Sequence, residues 1–323
     1  MSSNSFFPCD DPMLVLIGPT AIGKTALSIA LAREFGFEII SVDSMQVYRY
    51  MDIGTAKIKK EEMEGVRHHL ISIVNPDDGF DAVRFERSAI DAISSIKAAG
   101  NKVLLTGGTG LYLKALLDGL SEQIPAFPEI RAELLSRIDA GERHVMHEEL
   151  SLCDHISASR VHVNDTQRLV RALEIFRGTG KPWSRFLEED RGRTGKRFTR
   201  VKVVGLTTER EKLYSRIEKR TKVMLDEGLE TEVRALLKMG YGPDLQSMRS
   251  IGYSHMLKYI GSEWGLDEMT EKLIRDTRRY AKRQYTWFKA IPGIEWVESD
   301  RPEAVLPRVR DFLAGKQNGE GSV

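Results

Sequence analysis

The sequence has little cysteine, no long apolar run and almost no net charge. Its two cysteines, Cys9 and Cys153, lack C-x-x-C spacing, which excludes a disulfide framework, and the histidines near Cys153 fit no standard zinc spacing. No apolar run approaches the length that crosses a bilayer, and the first residues lack the basic and apolar segments of a secretion signal. We therefore expect a cytoplasmic protein with no membrane partner. At 323 residues and 41% hydrophobic residues, it can bury a sizeable core.

The net charge of +1 hides a local excess of basic residues. Between Arg160 and Lys222 the sequence holds 18 Lys and Arg residues against 8 Asp and Glu residues. A second run, from Lys272 to Lys289, has Asp276 as its one acid. A local excess on a neutral average indicates a polyanionic partner larger than a nucleotide. For the second run alone, a solvated helix face explains the pattern equally well.

A phosphate-binding loop is predicted between the apolar run 13–17 and a helical pattern. This strand, glycine loop and helix context favours the interpretation over a chance match. The loop glycines let backbone N–H groups converge on an anion, Lys24 supplies a full positive charge, and the Thr25 hydroxyl would bind Mg²⁺. The predicted phosphate-binding residues are Gly18, Pro19, Thr20, Ala21, Ile22, Gly23, Lys24 and Thr25.

Short apolar runs separated by helical patterns predict parallel β-α-β units. Strands are expected at 13–17, 37–42, 68–74, 102–106 and 201–206. Because Asp43 follows the second run, it should lie beside the phosphate loop at the carboxyl edge of the sheet, where functional side chains gather. The fourth run ends in Thr-Gly-Gly, and not in the acid that a nucleotide hydrolase uses, which argues modestly against an ATPase.

The strand pattern disappears between residues 121 and 200, where the sequence is helical. We therefore predict an α/β fold with a P-loop NTPase-like parallel sheet flanked by helices and an inserted all-helical subdomain. The catalytic core should comprise residues 1–120 and 201–314. The helical insertion should span residues 121–200, and residues 315–323 should form a disordered tail.

Six motifs in one order carry a resemblance to a known family. Besides the phosphate loop they are VDSMQVY at 42–48, IGTAK at 53–57, GGTGLY at 107–112, NDTQRLVRALE at 164–174 and IGY at 251–253. With these motifs, the sequence resembles the bacterial tRNA dimethylallyltransferases. The resemblance implies transfer of a dimethylallyl group from dimethylallyl diphosphate to the exocyclic amine of the adenosine just 3′ of the anticodon. It also implies Mg²⁺ as cofactor, the anticodon stem-loop of tRNA as partner, and a monomer.

The resemblance also assigns roles to single residues. Asp43 becomes the general base that takes the proton of the adenine amine, while Thr109 and Arg220 belong to the reaction centre and Arg220 faces the diphosphate. A basic insert suits a reaction in which a base must leave its stack to reach a buried carbon. The residues placed against tRNA are Ser44, Met45, Gln46, Arg131, Gln167, Arg168, Leu169, Val170, Arg171, Arg249, Gly252 and Tyr253.

Three other functions stay open at this point. An ATP-dependent small-molecule kinase would use the same loop, but it would leave the basic insert unexplained. An isopentenyltransferase acting on a free adenine nucleotide would share the core chemistry without needing the insert. A non-catalytic RNA-binding module would explain the charge but would leave the loop and Asp43 without a purpose.

Overall fold

The computed structural model describes residues 10–119, 124–191 and 197–316. The chain separates into two compact units, one of Met1–Leu117 with Arg197–Val323, and one of Asp118–Lys196. The insertion predicted from the sequence covers residues 121–200. Of the predicted tail, residues 315–323, only 315 and 316 lie within the described part of the chain.

A parallel sheet forms the centre of the first unit. Among the described residues it has six strands, in the order β3-β2-β4-β1-β5-β6. They are β1 (Met13–Ile17), β2 (Phe37–Val42), β3 (His68–His69), β4 (Lys102–Gly107), β5 (Val201–Thr207) and β6 (Glu295–Glu298). Every residue of β1 and β2 is buried, as expected for strands covered by helices on both faces.

The helices alternate with the strands in the first unit and make up most of the second. In chain order they are α1 (Lys24–Phe35), α2 (Ala82–Ala98), α3 (Gly110–Asp118), α4 (Pro128–Asp139), α5 (Arg143–Cys153), α6 (His155–Ala158), α7 (Thr166–Thr179), α8 (Trp183–Arg191), α9 (Arg210–Asp226), α10 (Leu229–Lys238), α11 (Tyr253–Ile260), α12 (Leu266–Phe288) and α13 (Val305–Leu313). Within the described ranges, no helix is both long enough and apolar enough to cross a membrane.

Each unit has its own hydrophobic core. In the first, Leu14 and Leu16 of β1 pack with Leu31 of α1 and with residues of α9, α12 and α13. This packing fixes the start of α1 at the end of β1, where the phosphate loop lies. In the second unit, Leu134 of α4 and Leu169 of α7 belong to a separate cluster, closed by residues of α5 and α6. The hydrophobic core of the insert is therefore formed by residues of the insert itself.

The predicted strand at residues 68–74 was too long. β3 ends at His69 because Leu70 and Ser72 adopt left-handed backbone conformations, with φ of 61° and 53°, which no extended strand accommodates. The end of the run forms an isolated bridge between Tyr48 and Val74, with backbone hydrogen bonds between residues 72–74 and 46–49. The predicted strands also did not include β6, which has four residues and depends on its neighbours in the sheet more than on its own pattern.

Candidate active site

Three functional turns lie side by side at the carboxyl edge of the sheet. β2, β4 and β1 are neighbours, so Asp43 after β2, Thr109 after β4 and the loop after β1 emerge at the same edge. Gly107 permits this close approach, since a Cβ at that position would lie 2.0 Å from the carbonyl oxygen of Val42. The sheet order thus brings together three motifs that are far apart in the sequence.

The phosphate loop closes on its own lysine. Gly23 has a φ of 102°, a conformation that favours glycine, and α1 begins at the next residue. The Nζ atom of Lys24 donates hydrogen bonds to the carbonyl oxygens of Gly18 at 2.9 Å and Pro19 at 2.8 Å. Burial lowers the pKa of Lys24 to about 8, against the opposing effect of the Asp43 carboxylate. The loop thus holds a cation whose charge a bound anion would stabilise.

Asp43 uses one carboxylate oxygen to shape its own turn. Its Oδ1 atom accepts hydrogen bonds from the backbone N–H groups of Met45 at 2.8 Å and Gln46 at 3.2 Å. Among the described residues, the hydrogen bonds found for this carboxylate use Oδ1. Asp43 therefore shapes the turn with one oxygen, and its Oδ2 atom is not needed for that turn.

Thr109 braces the Asp43 turn from the neighbouring strand. Its Oγ1 atom accepts the N–H of Ser44 at 3.0 Å. The hydroxyl of Tyr280, on α12, interacts with the side chains of Thr109 and Gln284. Burial, together with the nearby Asp43 carboxylate, raises the pKa of Tyr280 to about 12, so its hydroxyl stays protonated at neutral pH.

α9 brings cationic side chains to the phosphate loop. The Nη2 atom of Arg220 donates to Thr20 Oγ1 at 2.6 Å, and Nη1 of Arg216, one turn earlier, donates to the carbonyl oxygen of Ile22 at 3.2 Å. Burial lowers the pKa of Arg220, and the Asp43 carboxylate opposes that shift. Two arginines on one face of α9 thus bind the phosphate loop through Thr20 and Ile22.

Two cavities meet beside Asp43 and Arg220. The larger, of about 500 Å³, is lined by the phosphate loop, by Lys24 and by apolar side chains that include Ile58 and Ile71. The smaller, of about 240 Å³, is lined by residues that include Met45 and Tyr280. Four residues line both cavities, and these are Thr20, Asp43, Thr55 and Arg220. A reactant in one cavity would therefore meet a reactant in the other beside Asp43.

The residues of the first unit predicted to contact tRNA occupy different places. Ser44, Met45 and Gly252 line the smaller cavity, whereas Gln46 lines the larger one. Arg249 is exposed at the surface, with Asp244 within 3.8 Å. The side chain of Tyr253 is fully buried, so we remove it from the set of direct RNA contacts.

Tyr253 instead supports a loop through Glu232 of α10. The carboxylate of Glu232 accepts the Tyr253 hydroxyl at 2.6 Å and the backbone N–H groups of residues 52, 53 and 54. Burial raises the pKa of Tyr253, so the hydroxyl remains a donor. The IGTAK motif is therefore held by a glutamate that no sequence motif indicated.

The insert residues divide into exposed and buried groups along α7. Gln167 and Arg168 are exposed, whereas the side chains of Leu169 and Val170 have no exposed surface and belong to the core of the insert. Because a side chain buried in the core cannot contact RNA, we remove Leu169 and Val170 from the predicted RNA-binding set. The physical cause is the helical period, which turns these two residues inward.

Arg131 and Arg171 flank a buried carboxylate. Glu174 has no exposed surface, and its oxygens lie 2.9 Å from Nη1 of Arg131 and 3.0 Å from Nη1 of Arg171. Arg171 also donates to the carbonyl oxygens of residues 124 and 125. Both arginines therefore stabilise the insert, whatever else they contact.

Sequence reasoning missed four side chains of the site, which are Arg216, Glu232, Tyr280 and Gln284. One signal was present, because Arg216 and Arg220 are four residues apart and so share a helix face. Tyr280 and Gln284 share a face of α12 in the same way, but nothing local in the sequence shows that this face meets the phosphate loop.

A phosphate loop, a carboxylate and a half-buried arginine, gathered where two cavities meet, define a group-transfer enzyme that acts on a phosphorylated substrate. The model of the IPP transferase family matches residues 46–291. A tRNA dimethylallyltransferase from Desulfotalea psychrophila is 50% identical over 302 residues, which cover 94% of this chain and 96% of the relative. The chain belongs to the IPP transferase family.

Solved structures agree with this assignment. The tRNA isopentenylpyrophosphate transferase of Bacillus halodurans is 37% identical, with a TM-score of 0.70 over 95% of this chain and 98% of the other. A eukaryotic dimethylallyltransferase acting on tRNA is 26% identical, with a TM-score of 0.81 over 97% of this chain and 82% of the other. The predicted family, fold class and tRNA dimethylallyltransferase activity are thereby confirmed.

Proposed function

We propose that the two joined cavities divide the substrates between them. Dimethylallyl diphosphate binds in the larger cavity and the target adenine of a tRNA enters the smaller one, so that they meet beside Asp43 and Arg220. The observation that carries this proposal is the set of four residues common to both cavities. A site for one small substrate would need only one of the two cavities.

The larger cavity has a cationic side that matches the diphosphate and an apolar side that matches the five-carbon group of the substrate. Its phosphate loop, Lys24 and the cationic face of α9 suit the diphosphate. Its apolar side chains suit the five-carbon group and include Ile39, Ile58, Ile71 and Val223. This contrast in lining orients the substrate, because burying the diphosphate against the apolar side chains would cost free energy.

In the transfer, the C–O bond to the diphosphate breaks and a C–N bond to the adenine amine forms. Negative charge develops on the departing diphosphate, where Lys24, Arg220 and the loop N–H groups stabilise it. The proton of the amine passes to Asp43, whose Oδ2 atom is the oxygen not used by the turn. The products are the dimethylallyl adenosine and the diphosphate.

The residues present fit a magnesium ion that arrives with the diphosphate. Mg²⁺ prefers oxygen ligands and is usually bound by few protein groups together with substrate phosphates. Among the described residues, no group of three or more His, Cys, Asp or Glu could hold a metal alone. Thr25 lines the larger cavity, and the buried hydroxyl of Thr106, also in its lining, has no hydrogen-bond partner within the described part of the chain. These oxygens would hold Mg²⁺, which would stabilise the charge of the leaving diphosphate.

The tRNA partner fits the exposed residues of both units. Gln167 and Arg168 of the insert, with Arg249 of the first unit, present polar or cationic side chains to a phosphate backbone. The small cavity suits a single extruded base, because an adenine amine inside a stacked anticodon loop could not reach Asp43. A tRNA substrate also agrees with the cytoplasmic location predicted from the sequence.

The proposal is tested by a transfer assay with labelled dimethylallyl diphosphate and three acceptors. These are an unmodified tRNA with adenosine 3′ of the anticodon, the same tRNA with guanosine at that position, and free AMP. We expect label in the first acceptor alone, and its loss when Mg²⁺ is chelated. Label in AMP at a comparable rate would favour the free-nucleotide enzyme, and label in the guanosine tRNA would contradict the assigned acceptor.

A further inference from the structure

α12 inserts one amide side chain between the phosphate loop and the turn after β4. Gln284 is buried, with 6% of its surface exposed. Its Oε1 atom accepts the N–H of Thr20 at 2.9 Å, and its Nε2 atom donates to the carbonyl oxygen of Gly108 at 2.9 Å. One side chain thus links two turns that have no covalent connection nearby.

The two partners leave only one orientation for the amide. A backbone N–H can only donate and a carbonyl can only accept, so the side chain between them needs one acceptor and one donor at the same distance from its stem. Glutamine meets this requirement, whereas glutamate, lysine and methionine do not. Gly108 leaves the necessary space, because a Cβ there would lie 2.2 Å from Gln284 Nε2.

The linked turns carry the groups that act on the substrates. Thr20 is held on its other side by Arg220, through the 2.6 Å hydrogen bond to its hydroxyl. Beyond Gly108, the Oγ1 atom of Thr109 braces the turn of Asp43 through Ser44. Hydrogen bonds and short backbone segments therefore connect the arginine that faces the diphosphate, through Gln284, to the turn that carries the base.

We propose that Gln284 is a positioning residue that sets the distance between the diphosphate site and Asp43. The proposal rests on the function proposed above, since it assumes that Arg220 and Asp43 act on the two substrates. Gln284 acts through Thr20 and Gly108. Because a displacement of about 1 Å at a reacting centre can slow a reaction about 10²-fold, the rate depends on this link while substrate affinity depends on it much less.

The first test replaces the amide by an apolar side chain of similar length. For Gln284→Met we expect single-turnover transfer at saturating substrates to slow by about 10²-fold, with the Kd values of tRNA and dimethylallyl diphosphate changed less than about threefold. The control is Met269→Ala, which removes a fully buried side chain from the same helix about four turns away. Met269→Ala should lower the melting temperature and keep the rate near that of the parent.

A second variant reaches the same link from the other side. Gly108→Ala should displace the flexible end of Gln284, and we expect it to slow transfer without adding to the effect of Gln284→Met in the double variant. Transfer by Gln284→Met within threefold of the parent rate would overturn the proposal. So would a loss of rate in Met269→Ala as large as that in Gln284→Met, since general destabilisation would then explain both.

An activity-independent readout separates this proposal from the proposed function. The N–H of Thr20 is protected by Gln284, so hydrogen exchange in a peptide covering residues 18–25 should accelerate in Gln284→Met and stay unchanged in Met269→Ala. If exchange accelerated in Gln284→Met but the parent enzyme transferred no dimethylallyl group, the link would stand and the proposed function would be refuted. Unchanged exchange would refute the link even in an active enzyme.

Discussion

Lys24 makes the phosphate loop sensitive to pH. Burial lowers its pKa from the ordinary value of 10.5 to about 8, so above pH 8 the loop loses the charge that the proposed diphosphate site uses. In the protein without ligand, the effect of pH on the free energy of unfolding has the opposite direction. The unfolded lysine keeps its proton up to higher pH, so the Lys24 contribution to stability rises between pH 8 and 10.5.

We therefore predict that dimethylallyl diphosphate binds more weakly above pH 8. The association constant should fall by up to about tenfold per pH unit, because binding must take up the proton that Lys24 has released. Calorimetry between pH 7 and 10 measures this slope. Lys24→Arg is the matched control, since a guanidinium keeps its charge over the whole range. Parallel pH profiles for the two proteins would contradict the assignment.

Single residues also show where sequence reasoning ends. The roles predicted for Lys24 and Thr25 follow from a local motif, and the position of Asp43 follows from the end of a strand. The link from Gln284 to Thr20 spans 264 sequence positions. Nothing in the local sequence of either residue encodes that contact, because it depends on how α12 packs over the sheet edge.

At the scale of elements, α7 presents two faces with different tasks. Its outer face carries Gln167 and Arg168, and its inner face carries Leu169, Val170 and the buried Glu174. The helical period and the motif predicted the element and its basic character. They did not show that Arg171 forms an ion pair with Glu174. Arg168, which is exposed, is therefore the better probe of RNA binding.

For Arg168→Gln we predict a weaker and less salt-dependent interaction with tRNA. Loss of one phosphate contact should reduce the slope of log K against log salt by about 1. Filter binding of an unmodified tRNA over a range of salt measures the slope. Arg185→Gln is the control, because Arg185 is an exposed arginine of the same unit that was not predicted to contact RNA. Equal changes in both variants would mean that the effect is one of overall charge.

For Glu174→Gln we predict a destabilised insert. Removal of a buried charge between two partly exposed arginines weakens the charge-assisted hydrogen bonds of both and should cost on the order of 2–3 kcal/mol. Hydrogen exchange in α4 and α7 measures this cost, and dimethylallyl diphosphate binding should remain unchanged. Glu188→Gln, at an exposed pair on α8, should change stability by less than about 1 kcal/mol. An unaltered exchange rate in α7 would show that Glu174 has no such role.

At the scale of the whole molecule, the sequence predicted the parallel sheet and a helical insertion but not the joined cavities. Strand, loop and helix patterns are local, so the order of elements could be inferred before the structure was known. The cavities combine residues from both ends of the first unit, including Thr20 and Tyr280. Their shapes depend on non-local packing, which is why the apolar wall of the larger cavity could not be predicted.

The molecule as a whole works as proposed only if Asp43 accepts the proton of the adenine amine. The structure offers a clean test, because the turn needs only the acceptor atom Oδ1, which asparagine retains for the N–H groups of Met45 and Gln46. Asp43→Asn should therefore keep the turn, the melting temperature and the binding of both substrates.

The most direct measurement is the single-turnover rate of Asp43→Asn with saturating tRNA and dimethylallyl diphosphate. We predict a rate lower than that of the parent by about 10²- to 10⁴-fold, with no recovery at high magnesium concentration. Recovery by magnesium would assign Asp43 to metal binding instead. Transfer at close to the parent rate would contradict the account, because proton removal by Asp43 would then not be needed for the reaction.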